Sequence, residues 1–235
     1  MIHPSLPAAL LRPDFQLGES FDFGATFFFA MTGALAAIRR RYDYVGLFAL
    51  ALVAGVGGSL LRDGLFLQDG PPAVARDGRY LAAVLAGCLG GVVLGHRIER
   101  FRKAIAVLDA IGLCVYGVVG AQKSLAAGLS APAAILVGVI NACGGGLARD
   151  IITREEPLAF KPGQFYALAS CAGCALFVAL ATQTTLPAPV SALIAMTATF
   201  LLRFFAIIFN WRTSPVQPWF SDPDEPADPP GKPKP

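Results

Sequence analysis

Seven stretches of this chain are apolar over roughly the 20 residues that an α-helix needs to cross the hydrocarbon core of a bilayer. They run over 20–38, 44–61, 80–96, 105–122, 131–148, 164–182 and 188–209. Charges and prolines gather in the short segments between them. The pattern predicts an all-α integral membrane protein with seven transmembrane helices. Residues 1–19 form an extramembrane segment with no basic stretch leading into an apolar core, so it is not read as a cleaved secretory signal, and the first span is expected to direct insertion. From 213 to 235 the chain is proline-rich and polar, has nothing to pack, and is expected to be disordered.

The spans are not independent. The segment GGSLLRDGL that starts at Gly57 returns as GGGLARDII at Gly144, 87 residues later. The same ungapped offset pairs Asp22 with Asp109, Gly33 with Gly120, Ala34 with Ala121, Arg62 with Arg149 and Asp63 with Asp150. The chain therefore divides into a first repeat over 20–103, a second over 104–187 and a seventh helix over 188–212. Three spans per copy is an odd number, so the second copy must enter the membrane from the opposite face. Inverted repeats of this kind place a transport site at their interface.

Composition agrees with a lipid environment: 55% of residues are hydrophobic and 15% charged, against about 45–50% and 25% in soluble proteins. The net charge of +3 gives no reason to expect nucleic acid as a partner. The distribution of basic residues is more telling. Arg39, Arg40, Arg41, Arg97, Arg100, Arg102, Lys103, Arg154, Lys161 and Arg212 fall on one side, while Arg12, Arg76, Arg79 and Lys123 fall on the other. The positive-inside rule puts the N-terminus outside and the C-terminus in the cytoplasm. Cys88, Cys114, Cys143, Cys171 and Cys174 all lie in apolar spans and read as small packing residues, not as disulfide or metal ligands. No cofactor or metal is expected.

The candidate chemistry lies where the duplicated glycines meet the duplicated charges. Gly57, Gly58 and Ser59 interrupt the second span, and Gly144, Gly145 and Gly146 interrupt the fifth. Each glycine costs a helix about 1 kcal/mol relative to alanine, so both helices are expected to kink or unwind there. Freed carbonyls cannot face lipid and would line a wet cavity, where they can ligate a cation. The competing reading is that the glycines only let helices pack closely and that each Arg-Asp pair caps a helix end at the headgroup level. Arg62-Asp63 and Arg149-Asp150 follow one turn later, and charges at that depth require pairing or water.

Other charged groups inside the spans are few. Asp22 and Asp109 open the first and fourth spans and read as helix caps. Lys123 closes the fourth span, and either snorkels to the headgroups or reaches into a cavity. Arg203 lies about two turns before the end of the last span, Trp211 reads as an interfacial anchor, and His96 as an interfacial residue.

The duplicated GG-x-x-x-RD resembles the trimeric intracellular cation (TRIC) channel family in its bacterial branch. The resemblance rests on Gly57-Gly58-Ser59-Leu60-Leu61-Arg62-Asp63 with Pro71-Pro72 and Arg79-Tyr80, and on Gly144-Gly145-Gly146-Leu147-Ala148-Arg149-Asp150 with Glu156-Pro157, Phe160 and Tyr166-Ala167. Arg203-Phe204-Phe205-Ala206 and Asn210-Trp211 extend it to the last span. The resemblance implies a homotrimer in the bacterial inner membrane, with a hydrophilic pore in each protomer flanked by the glycine-broken second and fifth helices. It also implies conduction of monovalent cations, chiefly potassium, with sodium second. The Lys-Glu-Val segment associated with phosphoinositide binding in animal members is absent here. The same branch contains proteins proposed to carry glycine, so a secondary transporter of a small amino acid is the alternative. An enzyme fits poorly, because the chain has no HExxH, GxSxG or P-loop motif.

Overall fold

The computed structural model describes residues 17–95, 101–161 and 165–211. His96, Arg97 and Arg100, the first sixteen residues with Arg12, and Arg212 with the proline-rich tail lie outside the described residues. The described chain is helical: α1 (Glu19–Arg39), α2 (Tyr44–Leu61), α3 (Ala73–Arg76), α4 (Arg79–Gly95), α5 (Phe101–Ala126), α6 (Ala131–Ile152), α7 (Tyr166–Gln183) and α8 (Ala188–Ile208). Each apolar stretch predicted from the sequence is a helix, displaced by a few residues at the ends. Six are long and apolar enough to cross a membrane. The remaining one, α4, has 17 described residues, about 26 Å at 1.5 Å per residue against a core of roughly 30 Å.

The expected glycine breaks are absent. α2 continues helically through Gly57 and Gly58, and α6 through Gly144, Gly145 and Gly146. Glycine's cost in a helix arises partly because water competes for its backbone, and in lipid an opened backbone has no such partner. What departs from α geometry comes after the glycines: α2 widens into a π-helical turn over Arg62–Leu67 that ends at Gln68 with φ 49°.

The glycines serve instead as the contact between α2 and α6. A Cβ on Gly58 would run into the carbonyl of Asn141, and one on Gly145 into the carbonyl of Ala54. These contacts exchange under the 87-residue offset, since Gly58 corresponds to Gly145 and Ala54 to Asn141. A Cβ on Gly33 would meet Ala51 and Ala54, and one on Gly120 would meet Gly138 and Asn141, again the same pairs shifted by 87. Phe29 and its counterpart Tyr116 stack on each other, with ring centres 5.5 Å apart.

α1 and α5 run antiparallel. Asp22 early in α1 meets Lys123 near the end of α5, while Thr32 of α1 and Asp109 early in α5 converge on Arg149. The bundle therefore has one end marked by Asp22 and Arg62 and another marked by Asp109 and Arg149. α7 and α8 pack together on α5 through Phe177, Val178, Ala192, Ala195 and Met196. Gly87, Gly90 and Gly91 of α4 press against Phe27, Met31 and Ala34 of α1, as expected for glycines that only permit packing.

Gly58→Ala and Gly145→Ala should each lower thermal stability in detergent by about 1–3 kcal/mol, the range for overpacking a tight contact. Gly24→Ala in α1, where nothing lies within 4 Å of the added methyl, should leave stability equal or raised by up to about 1 kcal/mol. A Gly58→Ala protein that melts with the parent would remove the crossing from this role.

Candidate functional site

At the first end, the guanidinium of Arg62 is fully buried and faces two carboxylates. Nη1 and Nη2 each lie 3.4 Å from an oxygen of Asp22, and Nε donates to Asp63 Oδ1 at 2.7 Å. Asp22 Oδ2 also accepts from the Tyr80 hydroxyl at 2.9 Å and from Lys123 Nζ at 2.5 Å. Asp63 turns its other oxygen to the backbone N–H of Ala73 at 3.0 Å, pinning the loop after α2 to the arginine.

The second end repeats the plan. Arg149 Nη1 donates to Asp109 Oδ1 at 2.9 Å and to the Thr32 hydroxyl at 2.8 Å, and Nε donates to Asp150 Oδ1 at 2.9 Å. Asp150 Oδ2 accepts from the N–H of Leu158 at 3.2 Å, again tying down the following loop. Tyr166 lies close by, with Arg203 4.8 Å above its ring. The acid and base of each pair are 40 residues apart in both copies.

Two sequence expectations change here. Asp22 and Asp109 are not caps: α1 starts at Glu19, its N-cap is Gly18, and α5 starts eight residues before Asp109. Both carboxylates are buried and hold the duplicated arginines. Of the two readings of Lys123, reach into a cavity is the one observed. Tyr80 and Tyr166 stand in the sequence only as part of the family resemblance and Thr32 in no motif at all, because their roles come from contacts between distant helices.

Each centre borders a cavity at its own end. One of about 250 Å³ is lined by Glu19, Asp63, Ala73, Asp77, Tyr80 and Lys123, among others. One of about 380 Å³ is lined by Ala36, Arg39, Arg149, Asp150, Glu155 and Lys161, among others. At the mouth of the first, Arg79 donates to Asp77 and holds that carboxyl below its ordinary range, and it also pairs with Glu19. At the mouth of the second, Glu155 bridges Arg39 at 3.0 Å and Arg40 at 3.1 Å. Of the predicted site residues, Arg62, Asp63 and Lys123 gather at one centre and Arg149 and Asp150 at the other. Gly57, Gly58, Gly144 and Gly145 form the crossing between them, Ser59 bonds its own helix at Val56, and Gly146 lies against Tyr166. Among the described residues no group of His, Cys, Asp and Glu side chains is arranged to hold a metal ion.

The chain is similar to known proteins. The profile of a family described as "Glycine transporter" matches residues 19–96 and 106–182. A UPF0126 membrane protein of Deinococcus radiodurans is 36% identical over 158 residues, 67% of this chain and 73% of that protein. The UPF0126 inner membrane protein YadS of Escherichia coli K12 is 32% identical over 187 residues, 79% of this chain and 89% of its own length. Among solved structures, the TRIC trimeric intracellular cation channel orthologue from Rhodobacter sphaeroides superposes with a TM-score of 0.77 at 31% identity, covering 81% of this chain and 96% of that one.

Removing one partner of a buried ion pair leaves the other charge unpaired and costs about 3–5 kcal/mol. Arg149→Gln should therefore destabilise the protein by that amount in thermal or denaturant unfolding. Arg39→Gln, which removes a partly exposed bridge, should cost about 0–1 kcal/mol. Equal losses would show that the Arg149 pair carries no special share of the fold.

Proposed function

The chain belongs to the family described as glycine transporter and is similar to UPF0126 membrane proteins, and from that premise we propose that it is a channel for monovalent cations, potassium foremost and sodium second. It is a multi-pass membrane protein with the fold of a bacterial TRIC channel. The route runs inside each protomer, from the Asp63–Lys123 cavity past the α2–α6 crossing to the Arg149–Asp150 cavity. The observation that carries this reading is the pair of buried charged centres, each bordering a cavity, at opposite ends of one helical bundle. Charges at that depth are stable only when paired or wet, and here they are paired on the protein side while cavities border them on the other.

The contacts that exchange under the 87-residue offset, together with antiparallel α1 and α5, support two inverted three-helix repeats with α8 outside them. In that reading α4 is the third of seven spans. Basic residues on the Arg39 and Arg154 side support a cytoplasmic C-terminus and an external N-terminus in the inner membrane. The R. sphaeroides channel is described as trimeric, and we extend a homotrimer to this chain. Gly57, Gly58, Gly144 and Gly145 then set how closely the walls approach, and the Arg-Asp pairs set the electrostatics of the two entrances.

A carrier of a small zwitterion such as glycine is the second reading, and the tight crossing favours it. In this second reading the backbone contacts between Gly58 and Asn141 and between Gly145 and Ala54 would keep the two cavities apart, as alternating access requires of a resting state. Each centre also offers both an acid and a base to a zwitterion.

Purified protein in a planar bilayer under an asymmetric potassium chloride gradient should give discrete unitary currents that reverse near the potassium potential. A silent bilayer together with saturable, counter-exchanging glycine uptake into liposomes would replace the channel with the carrier.

A further inference from the structure

The two halves of the proposed route are built on one plan but lined differently, and the difference follows the internal duplication. On the Asp22 side a polar series leads inward: the Thr26 hydroxyl lies 2.9 Å from the Asp22 carbonyl and 2.6 Å from the Tyr116 hydroxyl, which lies 2.7 Å from the Gly55 carbonyl, so that two O–H protons serve three contacts in alternation. On the Asp109 side each corresponding position has lost its polar group. Thr26 is matched by Leu113, Tyr116 by Phe29 and Ser59 by Gly146. Phe29 and Leu113 are fully buried and lie in one cluster with Ala25, Ala142, Cys143 and the rings of Tyr116 and Tyr166.

The layer is thin. Along α1, Phe29 stands between Thr26, which belongs to the Asp22 series, and Thr32, whose hydroxyl takes a bond from Arg149 and gives one to the Phe29 carbonyl at 2.7 Å. The two threonines are six positions apart along the helix, about 9 Å at 1.5 Å per residue. The Phe29 ring lies against Gly112 of α5, where a Cβ would come within 2.7 Å of it. It also stacks on Tyr116 at 5.5 Å.

We infer that Phe29, with Leu113 beside it, is a hydrophobic gate: an off-centre barrier that closes the route on the Arg149 side while water and cations reach Tyr116 from the Asp22 side. A short apolar constriction excludes ions by dewetting, without any charged block. The inference rests on the reading of a route inside the protomer. It assigns the closed element to one ring layer in place of the symmetric glycine crossing.

The test compares potassium currents of reconstituted parent, Phe29→Ala, Phe29→Tyr and Phe177→Ala. Phe177 is equally buried but belongs to the α5–α7–α8 cluster, so its truncation controls for a cavity that merely loosens the fold. The gate predicts a several-fold rise in current or open time for Phe29→Ala, a smaller rise for Phe29→Tyr and none for Phe177→Ala. A silent parent with a conducting Phe29→Ala protein also supports it. A conducting parent whose Phe29→Ala and Phe29→Tyr forms carry unchanged or reduced current overturns the gate and leaves the channel standing. Silence in every form, with folding verified by thermal unfolding, overturns both.

Discussion

The structure depends on two backbones touching inside a membrane. α2 and α6 approach so closely at Gly58 and Gly145 that any side chain there would strike the carbonyl of the opposite helix. Lipid chains are as apolar as leucine, so helices in a bilayer gain little from burying apolar side chains and associate through close van der Waals approach. Small residues at the crossing permit that approach. The crossing then fixes the rest, because Arg62 and Arg149 each follow the contact glycine by four residues, about one turn, on helices running in opposite directions. They are delivered to opposite ends of the bundle.

Each arginine arrives buried and is held by carboxylates from its own repeat. Within the Arg-Asp dipeptide the aspartate fixes the guanidinium through Nε and uses its second oxygen to anchor the next loop, which leaves both terminal nitrogens of Arg62 for Asp22 and, since Asp150 also holds Nη2, Nη1 of Arg149 for Asp109. Pairing of this sort offsets the cost of carrying charge at membrane depth. The copies differ in what surrounds the pair. Lys123 adds an ammonium to the first centre, and the matching position 36 is alanine, one of the residues lining the second cavity. The two ends share the residues that match at the 87-residue offset and differ at Thr26/Leu113, Phe29/Tyr116 and Ala36/Lys123.

Helix positions are legible in the sequence because span length and apolar content are local properties, and the offset of 87 residues is legible as plain repetition. The glycine breaks fail as an expectation because helix propensity measured in water does not carry into an environment where an opened backbone has nothing to bond. Packing, the competing reading, is what Gly58 and Gly145 do. The cap reading of Asp22 and Asp109 assumes that the first apolar residues start the helices, whereas α5 begins eight residues before its aspartate. A signal for the true role does exist: both acids obey the same offset as Arg62 and Arg149, and a duplicated acid with a duplicated base points to a pair. Thr32, Tyr80 and Tyr166 leave no such trace, since single polar residues in apolar helices acquire a partner only through the tertiary fold.

The central claim is that two equivalent centres open to opposite faces of the membrane. Asp69→Cys borders the first cavity and Glu156→Cys the second, the former at an exposed position and the latter with its side chain largely exposed. Each would be placed in protein whose exposed Cys171 is replaced by serine and reacted with a membrane-impermeant maleimide in right-side-out and inverted vesicles. Position 69 should label only from outside and position 156 only from the cytoplasmic face. Labelling of both from the same face would contradict the inverted arrangement and the route drawn through it.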